Sequence, residues 1–155
     1  MNNKKLNITY DYNDNSKRTR FTVDNPKHKP FKKHEADAGF DIFANEAVVI
    51  PANSYAIVST CLKVAIPEGY VGILKSRSGM ACKHGVETGA GVIDSTYRGY
   101  INVKLYNTSN KDYTVVIGDK ITQMLIQKVN LLDWIEVESL DETERGSNGF
   151  GSTGK

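Results

Sequence analysis

The chain has 155 residues, 39% hydrophobic and 25% charged, which suits one soluble domain with a single core and is short for two. Its net charge of +2 is too small to argue for a nucleic-acid or membrane partner, and no apolar run approaches the length of a membrane span. There is no charged-then-apolar leader, and Cys61 and Cys82 lack the spacing of a metal site or a disulfide framework, so the sequence reads as a cytoplasmic protein with free thiols.

Residues 1–18 read as a partly disordered extension, rich in Asn, Lys and Asp, and the Lys/Arg excess lies mostly in residues 17–33. The folded domain is expected over 19–140, opening on a short strand at 20–23. From there β-branched and aromatic runs recur at 47–50, 55–58, 62–66, 70–74, 100–106 and 113–117. Each has strand length, and each is bounded by turn residues such as Pro51-Ala52-Asn53-Ser54, Ile66-Pro67-Glu68-Gly69 and Asn107-Thr108-Ser109-Asn110. The spacing predicts an all-β sandwich or barrel with at most one short helix, placed after Arg77-Ser78-Gly79-Met80. Residues 141–155 are expected to be a flexible C-terminal arm.

Four segments inside the domain combine residue types that carry chemistry. In Asp37-Ala38-Gly39-Phe40-Asp41 two carboxylates flank a glycine before a strand; turn formation alone explains the pattern, while two acids at a strand edge also suit waters around a hard divalent cation. Lys75-Ser76-Arg77-Ser78-Gly79 gathers cations, hydroxyls and a glycine after a strand. It resembles an anion cradle without matching a Walker loop, and a solvated polar loop is the plainer reading. Gly89-Ala90-Gly91-Val92-Ile93-Asp94-Ser95-Thr96-Tyr97 sets an acid and an aromatic on a glycine-bearing hairpin. Backbone groups of Gly91, Val92 and Ile93 suit the edge of a pyrimidine, Tyr97 suits a sugar, and Asp94 suits a proton on water. The alternative makes Asp94 a turn residue and Tyr97 a core aromatic. In Gly118-Asp119-Lys120-Ile121-Thr122-Gln123, an amide interrupts an apolar strand; it either satisfies a neighbouring backbone group or donates to a phosphate.

The last eleven residues, Arg145-Gly146-Ser147-Asn148-Gly149-Phe150-Gly151-Ser152-Thr153-Gly154-Lys155, cannot fold alone. They nevertheless join mobile glycines to hydroxyl donors, a guanidinium and one stacking ring, a mixture suited to a phosphate-bearing nucleotide. Taken alone, such a composition is more often a solvated tail.

In this order the five segments, from Asp37 to the chain end, resemble the signature of the trimeric dUTPase family. The resemblance implies a jelly-roll-like β-barrel assembled as a homotrimer. It implies hydrolysis of dUTP to dUMP and pyrophosphate, keeping uracil out of DNA and supplying dUMP for dTTP synthesis, with Mg²⁺ bound by the triphosphate. Carried over residue by residue, it makes Asp94 the base on the attacking water and Asp41 a partner of the metal through water. Arg77, Ser78 and Gly79 would hold the phosphate chain, Gln123 would touch the α-phosphate region, and Arg145, Gly151, Ser152 and Thr153 would close over the substrate with Phe150 stacked on uracil. The hairpin at Gly91 would exclude a 5-methyl group and Tyr97 a 2′-hydroxyl, and each pocket would draw segments from three subunits. An aspartate, with an ordinary pKa near 3.9, is a weak base, so alignment of the water must supply much of the rate.

Three positions depart from the family pattern: Ser76 where many relatives have proline, Lys120 where arginine is frequent, and Thr88 near the hairpin where some relatives use asparagine. The dCTP deaminase branch of the same fold is the nearer rival, but Asp94 after Gly-Val-Ile and the Arg77-Ser78-Gly79 loop favour the pyrophosphatase. A non-enzymatic protein using the pocket as an interface is the more distant one.

Overall fold

The computed structural model describes residues 18–148; residues 1–17 and 149–155 lie outside it. Among the described residues, eleven strands and one short α-helix follow one another: β1 (Arg20–Val23), β2 (Phe40–Phe43), β3 (Val48–Ile50), β4 (Ser54–Ser59), β5 (Leu62–Ala65), β6 (Tyr70–Lys75), α1 (Ser78–His84), β7 (Val86–Gly89), β8 (Val92–Ile93), β9 (Asn102–Asn107), β10 (Tyr113–Val115) and β11 (Lys120–Lys128). A 3₁₀ turn at Pro26–His28 is the remaining helical element. The fold is therefore all-β, as the sequence predicts. The strands form four antiparallel sheets, ordered β2-β11-β6-β8, β4-β9-β7, β1-β5 and β10-β3.

Alternation explains why these segments are strands. In β9, Val103, Leu105 and Asn107 turn inward and are almost fully buried, while Asn102 and Tyr106 face out. Ile42, Ile50, Val58, Leu62, Ile101, Val115 and Ile121, all at most 2% exposed, join them in one core. Burial of that kind stabilises by about 1.5–3 kcal/mol for each large aliphatic side chain. Asn107 is buried yet fully used: its amide donates to the carbonyls of Ile50 (3.0 Å) and Lys111 (2.7 Å), and its Oδ1 accepts from Ser109.

The run predicted at 113–117 ends at Val115, because Gly118 adopts φ 89° and the Asp119 carboxylate accepts the Val116 N–H at 2.9 Å, closing a turn. Strands β7 and β8 are not predicted. One is only two residues long, and the other reads Val-Glu-Thr-Gly, with too few apolar residues to signal a strand by alternation. Residues 129–148 form no helix or strand and are exposed throughout, including Leu132 at 77%, Ile135 at 83% and Trp134 at 100%. No helix among the described residues is long and apolar enough to cross a membrane.

What this architecture does for the site is a matter of register. β11 lies between β2 and β6, and Gln123 stands opposite Asp41 on one side and Lys75 on the other. Three segments far apart in sequence thus arrive side by side on adjacent strands. β8 pairs with the other edge of β6 through Gly72↔Ile93 and Ile73↔Val92, which sets Asp94 one residue beyond a paired strand.

Candidate active site

Asp41, on β2, is the electrostatic centre of the first cluster. Its Oδ1 lies 3.0 Å from Arg77 Nε and its Oδ2 lies 2.9 Å from Lys120 Nζ, with the carboxylate side chain about one-fifth exposed. The Lys120 ammonium also sits 4.4 Å from the centre of the Phe31 ring, and Phe31 is tied by two backbone hydrogen bonds to Asp41 itself. A carboxylate gripped by two cations orients both of them. Arg77 Nη1 donates to the carbonyl of Lys120 at 3.0 Å, so the guanidinium is fixed at two of its five N–H groups and three remain for an anion. Lys120, at the position where arginine is frequent among relatives, keeps the charge in this pair.

The helix after Arg77 forms where the sequence places it. Arg77 is its N-cap in an extended conformation, and the first intrahelical bonds run from the Met80 and Ala81 N–H groups to the Arg77 carbonyl. The N–H groups of Ser78 and Gly79 therefore have no intrahelical acceptor, and a Cβ on Gly79 would meet nothing within 4 Å. The cradle expected of Arg77, Ser78 and Gly79 is open to a ligand in this geometry.

Gln123 follows the plainer of its two readings here. Its Nε2 donates to the Ser76 carbonyl at 3.1 Å, and its side chain packs so closely on Gly39 that a Cβ there would stand 2.7 Å from Gln123 Oε1. A side chain at Gly39 would have to push the Gln123 side chain aside.

The second cluster is the hairpin. A cleft of about 200 Å³ is lined by Val92, Ile93, Asp94, Tyr97, Tyr100, Ile101 and Asn102. Asp94 and Val92 are exposed and Ile93 is buried. Tyr97 does not enter the core: it is 44% exposed, and its hydroxyl donates to the Tyr100 carbonyl at 2.9 Å, holding the ring across the cleft. Gly99 permits this, since a Cβ there would collide with the Tyr97 hydroxyl. The Tyr100 hydroxyl donates to Asp24 at 2.7 Å, and that bond to an anionic acceptor raises its pKa.

Gly91 anchors the hairpin to β6. Its carbonyl accepts the Leu74 N–H at 2.7 Å, and a Cβ on Gly91 would stand 2.7 Å from the Leu74 carbonyl oxygen. Gly91→Ala is expected to force the hairpin off β6, costing about 2 kcal/mol of stability and raising KM for the nucleotide more than about tenfold. Thermal unfolding together with steady-state kinetics checks both effects.

The cleft that Asp94 lines includes none of Asp41, Arg77, Ser78, Gly79 and Gln123. One chain therefore carries two separate part-sites. Of the arm, Arg145 is described and exposed, with Nε donating to the Asn148 carbonyl at 3.0 Å; Phe150, Gly151, Ser152 and Thr153 lie outside the described residues. Reading the sequence alone misses the hydroxyls of Ser76, Thr88 and Thr122, which bond these part-sites to one another. Ser76 and Thr88 stand out as departures from the family pattern, but their clustering with Thr122 was hidden because the three lie in separate segments.

Comparisons with known proteins bear on the same residues. The dUTPase family model matches residues 25–154. The deoxyuridine 5′-triphosphate nucleotidohydrolase of Debaryomyces hansenii is 48% identical over 128 residues, covering 81% of this chain and 80% of that protein. That of Candida albicans is 47% identical, covering 84% of each. Among solved structures, the dUTPase of Staphylococcus bacteriophage 80alpha with dUPNHPP superposes with a TM-score of 0.81 at 29% identity, covering 89% of this chain and 99% of that one. The dUTPase of phage phi11 of S. aureus, a structure described for its coordination of a structural Mg(II) ion, gives a TM-score of 0.73 at 27% identity, over 81% and 99% of the two chains. With a fold, a motif order and close sequence relatives in agreement, the chain belongs to the dUTPase family, whose members are dUTP diphosphatases.

Proposed function

We propose that this chain hydrolyses dUTP to dUMP and pyrophosphate by attack of water at the α-phosphorus, in pockets shared between the subunits of a homotrimer. The observation that carries the reading is the division of the chain into two part-sites. The Asp41, Arg77 and Gln123 group is shaped for a polyphosphate, while the Gly91 to Tyr97 hairpin is shaped for a base and bears the one exposed acid of the cleft. Bringing the hairpin of one copy to the phosphate cluster of another completes the set. The exposed apolar side chains of residues 129–148 favour such an assembly, because Trp134, Ile135 and Leu140 at 83–100% exposure leave a lone chain with an uncovered apolar segment.

In this reading Asp94 accepts a proton from the attacking water at its carboxylate. Arg77 and the N–H groups of Ser78 and Gly79 bind the phosphate oxygens on which charge develops. Asp41 keeps Arg77 in its rotamer, and Gln123 braces the Ser76 carbonyl beneath the loop. Tyr97 and the Gly91 hairpin sort substrates by exclusion. Residues of the arm, Arg145, Phe150, Gly151, Ser152 and Thr153, close over the bound nucleotide.

Mg²⁺ enters with the triphosphate in this scheme, and the donor set fits that mode. Asp41 is already paired with two cations, yet each oxygen keeps a lone pair for a metal-bound water, and among the described residues no three His, Cys, Asp or Glu side chains gather into a cage. When bound, the ion supplies positive charge to the phosphate oxygens and eases departure of pyrophosphate. The reaction keeps uracil out of DNA and provides dUMP for dTTP synthesis.

Hydrolysis in ¹⁸O-labelled water tests the bond cleaved. The label should appear in dUMP, as attack at the α-phosphorus requires; label in pyrophosphate would place the attack at the β-phosphorus and remove the assignment.

A further inference from the structure

A small hydroxyl network ties the strand that leads into the hairpin to the loop and strand that carry the phosphate cluster. Thr88, on β7, is held twice. Its backbone N–H donates to Ser76 Oγ at 2.9 Å, and its Oγ1 donates to Thr122 Oγ1 at 3.1 Å. Thr122, which is fully buried, in turn donates to the Lys75 carbonyl at 2.9 Å. Lys75 and Ser76 open the phosphate loop, Thr122 is next to Gln123, and Thr88 leads directly into Gly89, Ala90 and Gly91 of the hairpin. β7 belongs to a different sheet from β6 and β11, so the Thr88–Thr122 bond bridges two sheets, the Thr88–Ser76 bond reaches the loop after β6, and neither is part of any ladder.

The hairpin has reason to need such a bridge. Ala90 sits at φ 50°, a left-handed conformation that a residue with a Cβ adopts only when its surroundings hold it there. On the far side the Leu74–Gly91 hydrogen bond fixes the chain. On the near side, Gly89 is pressed against the Tyr106 ring, and the Thr88 bonds hold the strand. Asp94 has a separate anchor from the Thr88 bonds, one residue beyond the pairing of β8 with β6.

We infer that the Ser76–Thr88–Thr122 network is a positioning device that sets Gly89 to Gly91, the turn leading into the base-reading segment Gly91 to Ile93, beside the phosphate loop of the same chain. The inference rests on the hairpin's role as the base reader proposed above. Proline at position 76, which many relatives have, carries no hydroxyl to accept the Thr88 N–H, so the device depends on a departure of this chain from the family pattern. Because the network holds the β7 side of the turn and β8 holds Asp94, loosening it should alter base binding and base choice while leaving the chemical step in place.

The test compares the full chain with Ser76→Ala, Thr122→Val and the conservative Thr122→Ser, using thermal unfolding to confirm that each is folded. Ser76→Ala and Thr122→Val should each raise KM for dUTP about fivefold, the loss expected of one neutral hydrogen bond. They should keep kcat within about twofold and raise kcat/KM for dCTP and dTTP relative to dUTP. Thr122→Ser, which keeps the hydroxyl, should restore wild-type values. Amide hydrogen exchange over residues 86–91, measured without nucleotide, should quicken in the first two variants and not in the third. Unchanged exchange, unchanged KM and selectivity, or a fall in kcat as large as the rise in KM would overturn the inference. Absence of dUTP hydrolysis by the wild-type chain would instead sink the hydrolase reading, and the base-reading role of the turn with it.

Discussion

Asp94→Asn is expected to lower kcat for dUTP by about three orders of magnitude, while the nucleotide still binds with an affinity within about threefold of wild type. The amide has the shape of the carboxylate but neither its charge nor its basicity, and Asp94 stands exposed in its cleft, one residue beyond the pairing of β8 with β6. No packing is lost with the substitution, so a fold defect cannot mimic the effect. Calorimetric titration with dUTP and Mg²⁺, beside single-turnover kinetics, separates binding from chemistry. Wild-type turnover in the variant would remove Asp94 as the base, and loss of binding in step with loss of turnover would make it a substrate ligand instead.

Deleting residues 146–155 should reduce kcat/KM by at least about 100-fold and leave the proposed trimer assembled. The core ends well before this point: its last members are Met124 and the partly buried Ile126, both on β11. The deleted segment is composed mainly of glycines and hydroxyl residues with one aromatic ring, a composition that suits a lid. Light scattering of the truncated chain reads the assembly state directly. Monomers would mean that the segment builds the interface and does not merely close the site.

The strands that the sequence discloses are those carrying β-branched and aromatic runs of four or more residues bounded by turn residues, such as β4, β6 and β9. β7 and β8 were not legible, because their conformations are imposed by the partners they find, Tyr106 and Leu105 on β9 for one and Gly72 and Ile73 on β6 for the other. The motifs could be named from the residues, but not their grouping. That Asp41, Gln123 and Lys75 fall in one row follows from the order β2-β11-β6 and from the irregularity between Lys120 and Thr122 that sets its register. Nothing local in three separated segments reports a strand order.

Polar residues were harder still. Gln123 stands out as an amide in an apolar strand, and its partner, the Ser76 carbonyl, lies 47 positions away. Arg77 reads as a free cation in a polar loop until Asp41 arrives from 36 positions upstream. Side-chain bonds between sheets leave no periodicity in sequence, so a role such as that of Thr88 emerges only once the two sheets have been brought together.

Pyrophosphate release from dUTP, dTTP, dCTP and UTP, measured side by side with Mg²⁺ and with ammonia followed in the dCTP reaction, tests the central claim most directly. Release from dUTP alone is the result that the proposed roles predict, with the Gly91 hairpin excluding a 5-methyl group and Tyr97 a 2′-hydroxyl. Ammonia from dCTP, or no product from any of the four, would contradict it.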